Sequence, residues 1–501
     1  MNWGRAVLAL VAVVAAGALL VSGGSGADPR TPSALPGLPP PFLGTAVVGS
    51  GGLTAAIDAY GDVVDLRVPG AAGRGLIDNP AERQAAGTVP ADTGVVPWVS
   101  VDGRRARPIW TADSVEQRYR RGTSVVVTTA RFGPELVRVV YAAPRRRLVC
   151  LTESDAGARV ELRSSEPAAR RRLHCDGSSA QSSIEAAERS DRRWLRRARP
   201  LAASAPPWAV EMYERSLLVL RALTDRRSGA VAAGARDSWA YVWPRDASAA
   251  VLAFAAAGYH PQAEKTTRFL LGLGLEEAAR FHGDGSPVAG RPAQGDAIGW
   301  VAAAAEASGL IGSAWHAARI LSPVYPLAWR DRADYQEGEP GDYLGNAIAA
   351  GGLQSPLHGE KSSRRLVRRP GDPGSGLDSA AAWAVEPFRR RSLYPGARET
   401  MLQLARSGGR FGITPGEDWP GTDPWSAPTA WTAWSLAALG ERRQALRLLA
   451  DLRRAATPSG TLPERVDYRT GIPTSTTPLA WSHAFAILAL QELWPVRTAS
   501  T

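Results

Sequence analysis

The feature that most constrains this chain is a change of hydrophobic period near residue 200. From Phe42 to about Ser165, short β-branched segments dominate: Thr45–Gly49, Val63–Val68, Val95–Val99, Ser124–Thr129, Leu136–Tyr141, Arg147–Thr152 and Ala158–Arg163. Turn-forming residues separate them, as at Asp102-Gly103, which is the pattern of an antiparallel sandwich. From Pro206 onward the apolar residues recur at helical spacing. Met212–Leu223, Ala247–Ala257, Gln262–Leu271, Ala297–Ser308, Ser313–Leu321, Ser379–Val385, Arg398–Ala405, Ala427–Leu439, Arg442–Ala455 and Ala480–Leu493 read as helices. Gly258, Gly309 and Gly440 stand where a left-handed C-cap belongs. The pattern predicts a mainly α protein with an N-terminal β domain: a sandwich with a basic connector over residues 42–200, then an all-α domain over 201–495. Periodicity leaves bundle, solenoid and closed toroid open.

Composition narrows the function. At 501 residues, 45% hydrophobic and 21% charged, the chain can bury a core and is neither disordered nor a disulfide scaffold. Its net charge of +11 is nearly all arginine, with Lys265 and Lys361 the only lysines. The densest basic stretches, Arg170–Arg172 and Arg192–Arg199, hold one aromatic between them, Trp194. They read as solvated faces and not as a base-stacking platform, so no nucleic-acid partner is expected. Residues 1–27 carry Arg5, an apolar run from Ala6 to Val21 and a small-residue stretch ending at Ala27. They read as a signal peptide, or as an uncleaved anchor tethering the chain to a membrane. A proline-rich linker over 28–41 follows, and the expected location is extracellular or attached to the cell envelope. Cys150 and Cys175 are the two cysteines, either bridged or separately buried. HExxH, CxxC, GxSxG, P-loop and dinucleotide motifs do not occur, so no metal or cofactor is expected. Oligomeric state has no signature.

Candidate chemistry lies in loops that precede helices. Trp239-Ala-Tyr-Val-Trp-Pro-Arg-Asp246 sets three aromatics beside Arg245 and Asp246. Arg291-Pro-Ala-Gln-Gly-Asp296, the acidic Asp334-Tyr-Gln-Glu-Gly-Glu339, and the loop carrying Glu464 and Asp467 are similar in kind. Locally, Asp246 and Asp296 read as N-caps, the acidic loop as solvated, and Trp243, Trp425 and Trp481 as core. Their recurrence beside carboxylates favours a site. Sugar rings combine apolar C–H faces with hydroxyl rims, which suits aromatic walls edged by Asp, Glu and Arg. Paired carboxylates are the minimum equipment for glycoside hydrolysis.

In this order, the Trp239–Ser248, Gln294–Trp300 and Leu462–His483 segments resemble the glucoamylase family, glycoside hydrolase family 15. The resemblance runs from Phe42 to Trp494 and implies a β-sandwich followed by an (α/α)6 toroid of six inner and six outer helices. It implies Glu337 as general acid, Glu464 as general base, and Arg245 and Asp246 holding the terminal sugar, with Trp243 and Trp481 lining its site. Trp239, Arg291, Asp296 and Trp425 complete the expected substrate-binding set. Where the family's acid often follows a tryptophan, Gln336 stands here, and Arg410 is the sole arginine near Phe411–Asp418. The expected activity is exo-acting, inverting release of glucose from non-reducing ends of an oligo- or polysaccharide. The alternatives are a trehalase or α-1,6-glucosidase variant, and a carbohydrate-binding envelope protein that has lost turnover. Tyr335 and Glu339 are expected to keep Glu337 protonated, with Arg465 as a partner for Glu464.

Overall fold

A computed structural model describes residues 34–68, 75–77, 93–322, 329–350 and 365–496. The expected signal or anchor, and the linker as far as residue 33, lie outside the described residues. Among the described residues no helix is long and apolar enough to cross a membrane.

Strands appear where the β-branched segments predicted them. Three sheets run in the orders β1-β2-β3, β10-β4-β5 and β11-β9-β8-β7-β6. The first comprises β1 (Gly44–Gly49), β2 (Thr54–Asp58) and β3 (Val63–Arg67); the second β4 (Val96–Val101), β5 (Arg107–Pro108) and β10 (Ala158–Arg163). The third comprises β6 (Ser114–Tyr119), β7 (Val126–Phe132), β8 (Glu135–Ala142), β9 (Leu148–Ser154) and β11 (Leu173–Cys175). Strands β9 and β11 are parallel, in a register that sets Cys150 opposite Cys175, and the two form a disulfide. The bridge, not the pair of separate thiols, is therefore the state of these residues.

One element departs from expectation. The basic connector contains a helix, Gly177–Leu195. Its buried residues Ala180, Ile184, Ala187, Asp191 and Trp194 form a stripe at helical spacing. Ala180, Ile184 and Ala187 cover Val127, Val140 and Val149 on the outer face of the sheet. This explains why β8 is buried on both faces from Val139 to Ala142. The arginines lie on the opposite side, so the solvated-face reading holds for them and fails for the segment as a whole.

In the second region the helices fall into two kinds. Those starting at Pro244, Ala297, Leu344, Ser426 and Ala480, and the 3-10 segment Ser379–Ala384, are buried nearly all round. His260–Leu271, Tyr394–Ser407 and Arg442–Ala455 bury one side, as amphipathic helices outside a core do, whereas Pro207–Leu223 is buried all round from Ser216 to Leu220. Each of the first kind packs on the next, from Pro244 through Ala297, Leu344, Ser379 and Ser426 to Ala480, and Ala480 packs back on Pro244. Gly258, Gly309 and Gly440 have φ of 83°, 74° and 81°, the left-handed values expected of helix stops.

The two regions share one apolar core, which runs without a break from Val47 and Ile57 through Leu217 and Leu220 to Phe485. Polar contacts cross the junction as well. The Thr54 hydroxyl donates to the Ala222 carbonyl at 2.7 Å, and the Thr461 hydroxyl donates to the carbonyl of Thr45.

Candidate active site

The loops preceding the helices that start at Pro244, Ala297, Leu344, Ser426 and Ala480 converge around a cleft of about 730 Å³, counting the part open to solvent. Helix N-termini carry partial positive charge, and carboxylates gather beside them. Nine of the ten expected site residues line this cleft: Trp239, Trp243, Arg245, Asp246, Arg291, Glu337, Trp425, Glu464 and Trp481. Asp296 does not line the cleft; it stands behind Arg245. Tyr335, Gln336, Trp419 and Arg465 also line the cleft.

Two local readings are corrected. The helix carrying Asp246 starts at Pro244, with Trp243 in the N-cap position, so Asp246 lies in its first turn and not at its cap. Asp296 occupies an N-cap position but makes no side-chain cap. Both carboxylates face Arg245 instead. Its guanidinium donates to Asp296 Oδ2 at 2.9 Å and to Gln294 Oε1 at 2.8 Å, and lies 3.6 Å from Asp246 Oδ2. It also sits 4.7 Å above the Trp481 ring. Burial works against the Arg245 charge, but Asp296 and Asp246 outweigh it and hold its pKa above the usual value. Burial pushes Asp246 up to about 7, with Arg245 pulling down and Asp296 and Glu464 pushing further up.

Glu464 projects from a fastened loop. Its N–H donates to the Thr476 carbonyl at 3.0 Å, and its carbonyl accepts from Ser426 N at 2.9 Å. Two residues earlier, Leu462 N donates to His483 Nε2 at 2.9 Å. Since Nε2 accepts, the proton of the neutral ring is on Nδ1, facing Ser216 Oγ at 2.9 Å. Burial, then the nearby Arg215 charge, lowers the His483 pKa to about 3, so this tautomer is the resting state. Ser482 Oγ donates to the Pro463 carbonyl at 3.2 Å. Burial raises the Glu464 pKa; hydrogen bonds from Ser475 and the Trp239 indole, and the charges of Arg465 and Arg291, act against it. The expected help from Arg465 is thus present among several partners.

Glu337 is set differently. Its side chain is 38% exposed and ion-paired with Arg291, which is 35% exposed. The residue has φ of 59°, a left-handed conformation that L side chains adopt at a cost of roughly 1–2 kcal/mol. The turn is anchored beneath it. The Tyr335 hydroxyl donates to Asp378 Oδ1 at 2.9 Å, and Gln336 Nε2 donates to Asp378 Oδ2 at 3.1 Å. Asp334 pairs with Arg368 at 3.1 Å, and Arg368 reaches Asp418 at 2.7 Å. The Glu337 carboxylate meets a cation, Arg291, in a cleft whose walls include Tyr335 and tryptophans. Arg410 takes no part: its carbonyl accepts from Arg454 and its guanidinium lies over Phe411.

The walls offer unmatched polar atoms. The indole N–H groups of Trp419, Trp425 and Trp481 and the Gln336 Oε1 are buried without a protein partner. Trp419 packs edge-on against Trp425 at 5.0 Å. Aromatic faces with unmatched donors and an unmatched acceptor at their edges suit a ligand bearing hydroxyls. Among the described residues, no group of three His, Cys, Asp or Glu is placed to hold a metal ion.

No family model matches the chain, and no curated protein sequence matches it. Solved structures do. A bacterial glucoamylase crystallised with acarbose superposes with a TM-score of 0.65 at 11% identity, over 93% of this chain and 96% of that one. A wild-type glycosidase gives a TM-score of 0.47 at 22% identity, over 57% of this chain and 96% of that one. The glucoamylase of Saccharomycopsis fibuligera gives 0.46 at 15% identity, over 59% and 96%. The first of these shows that the chain shares the fold of that glucoamylase over nearly its whole length.

Proposed function

We propose that the chain is an exported, exo-acting, inverting α-glycosidase of glucoamylase type, built on an (α/α)6 toroid, that releases glucose from non-reducing ends of α-glucosides. The observation that carries this reading is the meeting of Glu337 and Glu464, remote in sequence, in one tryptophan-walled cleft that also holds Arg245 and Asp246. The closed order of inner helices supports the toroid. Export rests on residues 1–27.

In the inverting scheme, protonated Glu337 gives its proton to the glycosidic oxygen as the bond to the anomeric carbon breaks. Ionised Glu464 takes a proton from the water that attacks the opposite face. The hydrogen bonds from Ser475 and Trp239 stabilise the charged form that this base needs. Arg291 must leave Glu337 for the acid to hold its proton, and an incoming saccharide provides the displacement. Buried Arg245 and Asp246 supply polar groups for the hydroxyls of the terminal ring. The scheme draws on two carboxylates and water and calls for no cofactor.

The test is glucose release from maltose, isomaltose, trehalose and longer oligosaccharides, with the first-formed anomer read by NMR. Inversion gives β-glucose from an α-linkage. First-formed α-glucose from the non-reducing end of the longer oligosaccharides, or release from none of the panel, would overturn the reading; trehalose yields α-glucose as its leaving group in either case. A second reading is favoured by one observation, the ion pair that occupies Glu337. It is a saccharide-binding protein without turnover, and it predicts saturable binding of the same sugars with no product.

A further inference from the structure

A second cavity, of about 850 Å³, lies where the strand-rich and helical regions meet. It is walled by the ends of the Gly177 and Pro207 helices, the turn after the latter, and the first turns of the His260 helix. Four cations line it: Arg197, Arg221, Arg226 and Lys265. Arg221 is committed, donating to Asp191 at 2.7 Å and to Ser190 at 2.9 Å. The other three are exposed and, among the described residues, paired with no carboxylate. Asp225, the one carboxylate in the lining, spends Oδ1 on the N–H groups of Arg227 and Ser228 at 2.6 and 2.8 Å. Counting Asp225 and Asp191 against the four cations leaves a positive excess of two. The crowding is felt at Arg221, whose pKa is lowered first by burial and then, against the pull of Asp191, by Arg197 and Arg193.

Two buried donors in the same wall are unmatched. Thr266 is 0% exposed and its hydroxyl has no protein partner; Trp194 is 9% exposed and its indole N–H has none. The Trp194 ring is stacked on Tyr259 at 4.1 Å, and the Arg221 and Arg197 guanidinium groups lie 5.0 and 5.9 Å from its centroid, so its N–H is the donor left for a ligand. Guanidinium forks, an ammonium, an indole N–H and a hydroxyl around a concavity with excess positive charge match an oxyanion with several acceptor oxygens.

We propose that this cavity binds a phosphate dianion, held by Arg197, Arg226 and Lys265, with Trp194 and Thr266 donating from the wall. It is separate from the tryptophan cleft and does not depend on the reading of that cleft. The test titrates the full-length protein by calorimetry with inorganic phosphate, glucose 6-phosphate and acetate at physiological salt. Saturable phosphate binding is expected, at least about tenfold tighter than acetate and at least about tenfold weaker in the Arg197→Ala/Arg226→Ala and Lys265→Ala variants. These side chains are exposed, so circular dichroism should be unchanged. Tighter glucose 6-phosphate would identify a sugar-borne phosphate as the source, and equal affinity a free one; the site stands in both cases. No saturable phosphate binding, equal affinity in the variants, or acetate binding as tightly as phosphate would each overturn it.

Discussion

Glu464 enters the cleft from a loop in which Leu462 is held by His483, Pro463 by Ser482, and Glu464 itself by Thr476 and Ser426. Glu337 enters from a different condition: an exposed side chain, a left-handed backbone and a part-exposed cationic partner, Arg291. One carboxylate is oriented by the scaffold before any ligand arrives, and so needs little rearrangement when charge develops. The other is parked in an ion pair that has to be exchanged for a ligand contact. If the proposed function holds, the two halves of the proton-transfer pair are built by different means, one by packing and one by a replaceable charge.

The largest expected effect breaks the fastened side. Glu464→Gln should lower kcat roughly 10²–10⁴-fold on every substrate, including an activated fluoride donor, because water activation fails whichever group leaves. Near-wild-type turnover would remove Glu464 from the base role. Glu337→Gln should reduce turnover of poor leaving groups by a comparable factor and largely spare the fluoride donor, whose departure needs little protonation. If both donors suffer alike, the acid lies elsewhere, with Glu339 and Asp342 the next positions to examine.

A third variant loosens the base without touching ligand. His483→Ala removes the acceptor for Leu462 N and should cost about 1–3 kcal/mol of stability, since a buried donor is left unmatched. It should lower kcat more than it alters KM. The sign of the pH effect follows from a histidine lowered to about 3 by burial and Arg215. Its stabilisation is complete above the unfolded value of about 6.5 and is lost as pH falls toward 3. The variant should therefore show a flatter acid limb in denaturant melts; an unchanged limb would remove His483 from that account. The smallest effect sharpens the contrast. Arg291→Ala frees Glu337 from its cation in the free enzyme, which should move the alkaline limb of the kcat/KM–pH profile upward, because a carboxyl without a neighbouring charge keeps its proton longer. An unmoved limb would show that the ion pair does not govern the acid.

Much of this arrangement was legible in the sequence, for identifiable reasons. Arg442–Ala455 and Ala480–Leu493 match their expected bounds because one has a sharp apolar stripe and the other is largely apolar and buried on nearly every side. The Pro244 helix begins three residues earlier than expected: proline at the first helical position is its start signal, and Asp246 presents a competing cap-type residue two positions later. The Gly177 helix was hidden by its charge, although Ala180, Ile184, Ala187 and Trp194 mark its buried face. Ser379–Ala384 forms a 3-10 segment, a distinction periodicity does not make over so short a stretch. At the site, loops before helices identified the lining residues, because the chain presents those loops together. The Arg291–Glu337 pair and the Arg368 link between Asp334 and Asp418 left no local pattern, since both join residues far apart in the chain.

The hydrogen bond from Thr461 to Thr45 bears on the time course of folding. Its partners are separated by 416 positions, and Ser216 and His483 by 267. A chain made from its N-terminus presents β1 long before the residues that complete its surroundings exist. The strands can pair early, but their shared core with the helices stays wet until synthesis has passed residue 461. Contacts of such sequence separation slow the rate-limiting step, because the entropy of closing the intervening chain is lost before the contacts repay it. The strand-rich region therefore waits on the helical one, and the two should be acquired and lost together, as one cooperative unit with a single melting transition.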